Sequence, residues 1–131
     1  MPGRHEETIL AGHAAFNRGD TSWPQASVAA DVVWGTTGTF PGLDRVYRGP
    51  GGVEEWMRTV RKEWEQFEVS ITEVLAEAND ALAVVERIWG KGRESGAEAE
   101  MSLFALYRFN ADGLVIERRA FTSREAALAA L

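Results

Sequence analysis

Two charged residues interrupt a mainly apolar segment in the second half of the chain. Glu86 and Arg87 lie between Val85 and Ile88, within residues 81–91. Because neighbouring residues of a strand point to opposite faces, one of the two should face the interior. An inward Glu86 would be a general base whose pKa is raised by burial, whereas an inward Arg87 would hold an anionic or enolate oxygen. The alternative for either residue is a structural ion pair with a neighbour.

The same question of facing arises at Arg118 and Arg119, in the last predicted strand. One of the two arginines should approach the interior, where it would lie near the charged pair of residues 86 and 87. We expect a neighbourhood of Glu86 with Arg118 or of Arg87 with Arg119, in which Glu117 could neutralise either arginine. A cross-strand charge pair on the surface of the sheet is the alternative.

A further titratable group lies on the apolar side of the first predicted helix. His13 shares that side with Ile9 and Phe16. It is either a proton carrier that lines a pocket or a structural histidine whose hydrogen bonds are satisfied at the edge of the core. His5 is predicted to lie in a frayed N-terminus. The two histidines have no metal-binding spacing, so no metal site is predicted.

Five tryptophans are more than a core of this size requires. Trp34, Trp56, Trp64 and Trp89, together with Tyr107, form the aromatic group that we expect to matter for binding. Pockets for small apolar ligands are lined in this way, with few polar groups. The alternative is a dimer interface, since interface cores are also rich in aromatic residues, and Trp89 or Tyr107 would serve there.

The composition excludes several classes of protein. The chain has 131 residues, 45% of them apolar, and a formal net charge of -6, which predicts a single folded domain over residues 1–131. The acidic balance argues against nucleic-acid binding. No cysteine is present, which excludes disulfides, thiolate metal sites and cysteine nucleophiles. There is no signal segment, no stretch of transmembrane length and no phosphate-binding glycine motif, so we expect a cytoplasmic protein without membrane contact or cofactor.

Hydrophobic periodicity and turn residues predict the elements that position these groups. Helices are predicted over residues 6–18, 22–30, 53–66 and 123–131, and strands over 31–36, 67–78, 81–91, 97–109 and 114–122. Residues 37–52 are predicted to form a long glycine-rich loop. The order α-α-β-α-β-β-β-β-α predicts an α+β fold, in which N-terminal helices pack across one face of a curved antiparallel sheet that encloses a pocket.

Short motifs along nearly the whole chain resemble one known superfamily. They are residues 16–20 (FNRGD), 30–31 (AD), 47–49 (YRG), 107–113 (YRFNADG) and 124–128 (REAAL). In these motifs, and in length and order of elements, the chain resembles the nuclear transport factor 2-like superfamily, within it the SnoaL-like, polyketide-cyclase-like and ketosteroid-isomerase-like branches. The resemblance implies a cone-shaped α+β domain with helices on its concave face, a homodimer formed through the outer face of the sheet, and a pocket lined by Trp34 and Trp56.

The catalytic groups of the resembled enzymes are missing. By the resemblance, the oxyanion-hole tyrosine of ketosteroid isomerases falls on Gly12, their base on Thr36 and their neutral aspartate on Ala105. In limonene-epoxide-hydrolase-like enzymes an Asp-Arg-Asp set activates water, and its two aspartate positions here hold Trp89 and, approximately, Arg119. Only the arginine of that set is present, and arginine does not act as a base at neutral pH. Neither mechanism is therefore expected.

Two functions fit these residues. The first is an enzyme that cyclises, isomerises, dehydrates or hydrates a small apolar or polycyclic molecule, with Glu86 or His13 as the acid/base and Arg87 or Arg119 as the oxyanion partner. The ligand would contact residues of the pocket walls: Trp34, Thr36, Trp56, Ala105, Tyr107 and Arg118. The second is a non-catalytic ligand-binding or interaction module, because one fold can carry either function.

Overall fold

Helices and strands follow each other in nearly the predicted order in a computed structural model, which describes residues 3–36 and 46–131. The helices are α1 (Arg4–Asn17), α2 (Trp23–Ser27), α3 (Gly49–Glu63) and α4 (Arg124–Ala129). The strands are β1 (Val28–Gly35), β2 (Val46–Arg48), β3 (Trp64–Glu77), β4 (Ala81–Gly92), β5 (Glu98–Phe109) and β6 (Val115–Phe121). The predicted α+β class is confirmed. Within the described residues, no helix is both long and apolar enough to span a membrane.

The strands form one curved sheet in the order β2-β1-β6-β5-β4-β3. Consecutive strands from β3 to β6 pair in antiparallel fashion. The strands β1 and β6, far apart in sequence, pair in parallel, so the sheet is mixed rather than purely antiparallel. The ladder between β3 and β4 contains three register shifts. Such bulges bend a strand and increase its twist, which curves this end of the sheet.

Helices cover both faces of the sheet centre. On the inner face, towards α1 and α3, Leu82, Val84 and Ile88 of β4 join the main core. On the outer face, Ala81, Ala83 and Leu106 form a second, smaller core that Phe121 and Ala130, next to α4, cover. The first half of β4 is therefore buried on both faces.

The predicted loop over residues 37–52 is wrong at its C-terminal end. Residues 46–48 form β2, which pairs with β1, and α3 begins at Gly49 instead of residue 53. Pro50 lies in the first turn of α3, where a missing backbone N–H costs nothing. Residues 37–45 of the predicted loop lie outside the described residues. The strand β1 begins at Val28 instead of residue 31, because Val28 pairs with Val115, a long-range contact that no local pattern reveals.

His5 is part of the packed structure, so the prediction of a frayed terminus at this residue is wrong. The residue is 6% exposed. Its Nε2 lies 2.8 Å from the carbonyl oxygen of Asn79, and its ring stacks on Phe109 with 3.9 Å between centroids. These contacts fix the first turn of α1 against the turn between β3 and β4.

Candidate functional site

The facing of the paired charges in β4 and β6 determines the chemistry of the site. Glu86 shares the inner face with Val84 and Ile88 and is completely buried. Arg118 is 3% exposed and also lines the inner cavity. Their sequence neighbours point the other way, as the alternation of a strand requires.

Arg87 and Arg119 therefore lie outside the site for which they were predicted. The Nε and Nη2 atoms of Arg87 donate to the two carboxylate oxygens of Glu100 at 2.9 and 2.8 Å, on the outer face of the sheet. Arg119 is exposed, with its guanidinium carbon 4.9 Å from the ring centroid of Phe121. Neither arginine lines the cavity, so the prediction that one of them is the oxyanion partner is wrong.

A buried hydrogen-bond network forms around the carboxylate of Glu86. Arg118 Nη2 donates to Glu86 Oε1 at 2.8 Å, and Arg118 Nε donates to the Tyr107 hydroxyl oxygen at 3.2 Å. The Tyr107 hydroxyl donates to Glu86 Oε2, and His13 Nε2 lies 2.9 Å from the same oxygen. Arg118 Nη1 also donates to the carbonyl oxygen of Gly35 at 2.7 Å, which ties the network to the end of β1.

The network keeps Glu86 ionised. Burial alone would raise the pKa of its carboxyl group, but the charge of Arg118, the contacts with His13 and the hydrogen bond from Tyr107 together lower that pKa to about 2. Burial and the neighbouring carboxylate raise the pKa of Tyr107, so its hydroxyl stays protonated. The pKa of Glu86 is therefore lowered, not raised as burial alone predicted, and its role as a general base stays a prediction.

The ionised carboxylate sets the tautomer of His13. A carboxylate only accepts hydrogen bonds, so the Nε2 of His13 must carry the proton that lies between the two side chains. In neutral His13, Nδ1 then has a free lone pair. This atom is buried and has no hydrogen-bond partner among the described residues. His13 lines the cavity with 13% of its side chain exposed.

Aromatic rings form much of the rest of the wall. The ring centroids of Trp34 and Trp56 lie 5.7 Å apart, those of Trp34 and Tyr107 5.9 Å apart, and those of Phe16 and Trp56 5.3 Å apart. The guanidinium carbon of Arg118 lies 5.5 Å from the Trp34 ring centroid, within the range of a cation–π interaction. Trp34, Trp56, Tyr107 and Arg118, all predicted to contact a ligand, line one cavity. Tyr107 therefore does not belong to an outer dimer interface.

Trp23 also lines the cavity, and the sequence prediction missed it. A Cβ atom added to Gly12 would lie 2.8 Å from two atoms of the Trp23 indole. The glycine thus lets the indole lie directly against α1. Gly12 is the position at which the resemblance to ketosteroid isomerases places a tyrosine, and Trp23 packs against the space that a side chain there would occupy. A glycine on an otherwise apolar helix face was the only signal for this packing.

The remaining predicted residues lie away from the cavity. Thr36 and Ala105 are completely buried but do not line it. Trp89 lies on the outer face, where its Nε1 donates to Glu98 at 3.0 Å. Trp64 packs beside Phe67, with 6.1 Å between ring centroids. In the part of the chain that the structure describes, no cluster of three or more His, Cys, Asp or Glu residues could hold a metal ion.

The cavity is small. Its volume is about 40 Å³, which holds a few water molecules. A larger ligand must therefore displace side chains of the wall.

Comparisons with known proteins agree with this architecture. The sequence model of the SnoaL-like domain family matches residues 9–118, whereas no curated protein sequence matches the chain. Similar solved structures include TerC co-crystallised with polyporic acid, with a TM-score of 0.76, 21% identity and 95% coverage of each chain. RV0760c from Mycobacterium tuberculosis in complex with estradiol-17beta-hemisuccinate has a TM-score of 0.76 and 19% identity, covering 95% of this chain and 97% of that one. A ketosteroid-isomerase-like protein from Catenulispora acidiphila in complex with trimethylamine has a TM-score of 0.76 and 17% identity, covering 94% and 90%.

Proposed function

Because this chain belongs to the SnoaL-like domain family, we propose that its cavity binds a small, flat, mainly apolar molecule and that His13 moves a proton to or from it. The reaction would be of the isomerase, cyclase or dehydratase type. Glu86 is a positioning residue in this proposal, since it acts through His13.

The lining of the cavity supports an apolar ligand. Its walls are mostly aromatic and aliphatic, and the polar groups are gathered in the network of Glu86, Arg118, Tyr107 and His13. Binding sites for small molecules usually combine such walls with a few fixed polar groups. Two proteins of similar structure were solved with small organic molecules, TerC with polyporic acid and RV0760c with an estradiol ester, which is consistent with a ligand of this class.

The hydrogen bonds of Glu86 support His13 as the acid/base. Both oxygens of the carboxylate are already engaged, and its pKa of about 2 makes it a poor proton acceptor at neutral pH. A carboxylate that accepts from one ring nitrogen holds the imidazole in one tautomer while the other nitrogen exchanges protons. The single observation that carries the proposal is this Glu86–His13 contact, located at an apolar cavity.

A non-catalytic binding module is the second candidate. The observation that favours it is that Glu86, Tyr107 and Arg118 hydrogen-bond mainly to one another, so they could serve only to hold the cavity in shape. The homodimer expected from the sequence also stays a proposal. Trp89 is half-buried on the outer face, where a second copy could cover it, and sedimentation equilibrium would measure the oligomeric state.

Proton exchange separates the two candidates without knowledge of the natural substrate. The probe is 1-indanone, a small flat ketone whose α-protons exchange with solvent when a base removes them. We expect the protein in D₂O to accelerate the loss of these protons from the NMR spectrum. His13→Gln should lower that acceleration by about 100-fold or more, as loss of a general base does, while binding of the ketone stays within about threefold.

Arg119→Gln is the matched control, because it changes a charge on the outer side of the same sheet and should leave exchange unchanged. If the protein binds the ketone but does not accelerate exchange, the binding module is favoured. If His13→Gln exchanges the protons as fast as the natural sequence, His13 is not the proton carrier.

A further inference from the structure

Two indole nitrogens of cavity-lining residues have no hydrogen-bond acceptor in the part of the chain that the structure describes. Trp34 Nε1 and Trp56 Nε1 are buried, and no described residue accepts from either of them. An indole N–H is a donor only, so it is satisfied only if an acceptor reaches it. Buried donors without a partner are rare in folded proteins and require an explanation.

The two indoles are neighbours in the same wall. Their ring centroids lie 5.7 Å apart with 48° between the ring planes, and Trp34 is 4% exposed. Trp89 provides a contrast, because its Nε1 on the outer face donates to Glu98 at 3.0 Å. The described residues thus provide an acceptor for an indole on the outer face and none for the two in the cavity.

The carboxylate of Glu86 is not the acceptor for these two indole N–H groups. The oxygens of Glu86 accept from Arg118, Tyr107 and His13, and none of their hydrogen bonds comes from an indole. With Glu86 negative and Arg118 positive, the two charges also cancel, so they do not repel an oxygen that carries partial negative charge.

We propose that Trp34 and Trp56 donate their indole N–H groups to an oxygen atom of the ligand, so that the site selects flat apolar molecules with a carbonyl-type or enolate oxygen. This inference rests on the proposed function and narrows its substrate class. It assigns to the two tryptophans the oxygen-holding role that the sequence had suggested for an arginine. A carbonyl oxygen held in this way would acidify the α-protons that His13 is proposed to move.

The test compares two probes of the same shape, 1-indanone and indane, which differ in the carbonyl group. The ¹⁵N-labelled full-length protein gives indole N–H signals that Trp34→Phe and Trp56→Phe assign by their disappearance. With 1-indanone, we expect the Trp34 and Trp56 signals to move downfield, as donors to a new hydrogen bond do. With indane, these two signals should not show that downfield movement.

Affinity provides the second measurement. Each Trp→Phe change removes one donor and reduces the apolar contact for both probes alike, so affinity for 1-indanone should fall about fivefold more than affinity for indane, the effect of one ordinary hydrogen bond. Trp89→Phe is the control and should change neither affinity. If one variant does not fold, the signals of the natural sequence and the other variant still decide the question.

The outcomes are distinct. If both probes bind and the two indole signals respond alike, or if the variants lose no more affinity for the ketone than for indane, the indole anchor is wrong while the apolar cavity stands. If neither probe binds, the proposed function and this inference both fail.

Discussion

Glu86→Gln removes the negative charge that faces Arg118 but keeps the size of the side chain. Arg118 is 3% exposed and its Nη2 donates to Glu86 Oε1 at 2.8 Å, so the substitution leaves a buried guanidinium without its counter-charge. Breaking a buried ion pair by removing one partner costs about 3–5 kcal/mol. We expect a loss of that size in the free energy of unfolding at pH 7.

The pKa of Glu86 points in the same direction. It falls from the usual 4.5 to about 2, which corresponds to a stabilisation on the order of 3–4 kcal/mol. Because the pKa is lower in the folded state, this stabilisation is fully present above about pH 4.5 and is lost as the pH falls towards 2. The stability difference between the natural sequence and Glu86→Gln should therefore narrow over that range.

Urea denaturation followed by tryptophan fluorescence, from pH 7 down to pH 2, measures both effects. Glu100→Gln is the matched control, because Glu100 forms an ion pair with Arg87 on the exposed face of the same sheet. Exposed pairs of this kind contribute less than about 1 kcal/mol. The reasoning is refuted if Glu86→Gln costs no more than Glu100→Gln, or if the difference between Glu86→Gln and the natural sequence does not depend on pH.

Two further changes test the packing and the hydrogen bonds of the site. Gly12→Ala should destabilise the protein by about 1–3 kcal/mol, because the new methyl group would lie 2.8 Å from the Trp23 indole. Thermal unfolding checks this against Gly51→Ala, whose added carbon meets no described residue within 4 Å beyond its chain neighbours and its own helix backbone, and which should be neutral or stabilising. Tyr107→Phe should lower the free energy of unfolding by about 1–3 kcal/mol, since it removes the donor to Glu86 and the acceptor for Arg118 Nε. Urea denaturation at pH 7 measures the loss, and an unchanged midpoint would mean that the hydroxyl is not part of the network.

The order of elements could be predicted because it depends on local signals. Asn79 and Asp80 mark one turn and Gly113 another, and the strands between them are long and apolar. The pairing of β1 with β6 could not be predicted, because it joins residues such as Trp34 and Arg118 that no local pattern links. The short strand β2 could not be predicted for the same reason, since only its pairing with β1 distinguishes it from a loop.

The facing of Glu86 could not be predicted for a specific physical reason. Alternation of apolar and polar residues shows which face of a strand is buried only when one face contacts water. Residues 81–86 of β4 are buried on both faces, since an outer core covers Ala81 and Ala83. The sequence pattern therefore does not show which of Glu86 and Arg87 faces inward. Arg118 of β6 was one of the expected neighbours of Glu86 and does contact it, but the contacts with His13 of α1 and Tyr107 of β5 could not be predicted from a local pattern.

The same burial explains why the most conspicuous carboxylate is a poor choice for the acid/base. A lone buried carboxyl group would have a raised pKa and could act as a base. Arg118, His13 and Tyr107 reverse that effect at Glu86, so each contact that makes the carboxylate tolerable inside the protein also makes it less basic. His13 Nε2 contacts this carboxylate at 2.9 Å, and its Nδ1 has no hydrogen-bond partner among the described residues. We therefore expect the imidazole, rather than the carboxylate, to exchange a proton with the ligand, while the carboxylate fixes the orientation of the ring.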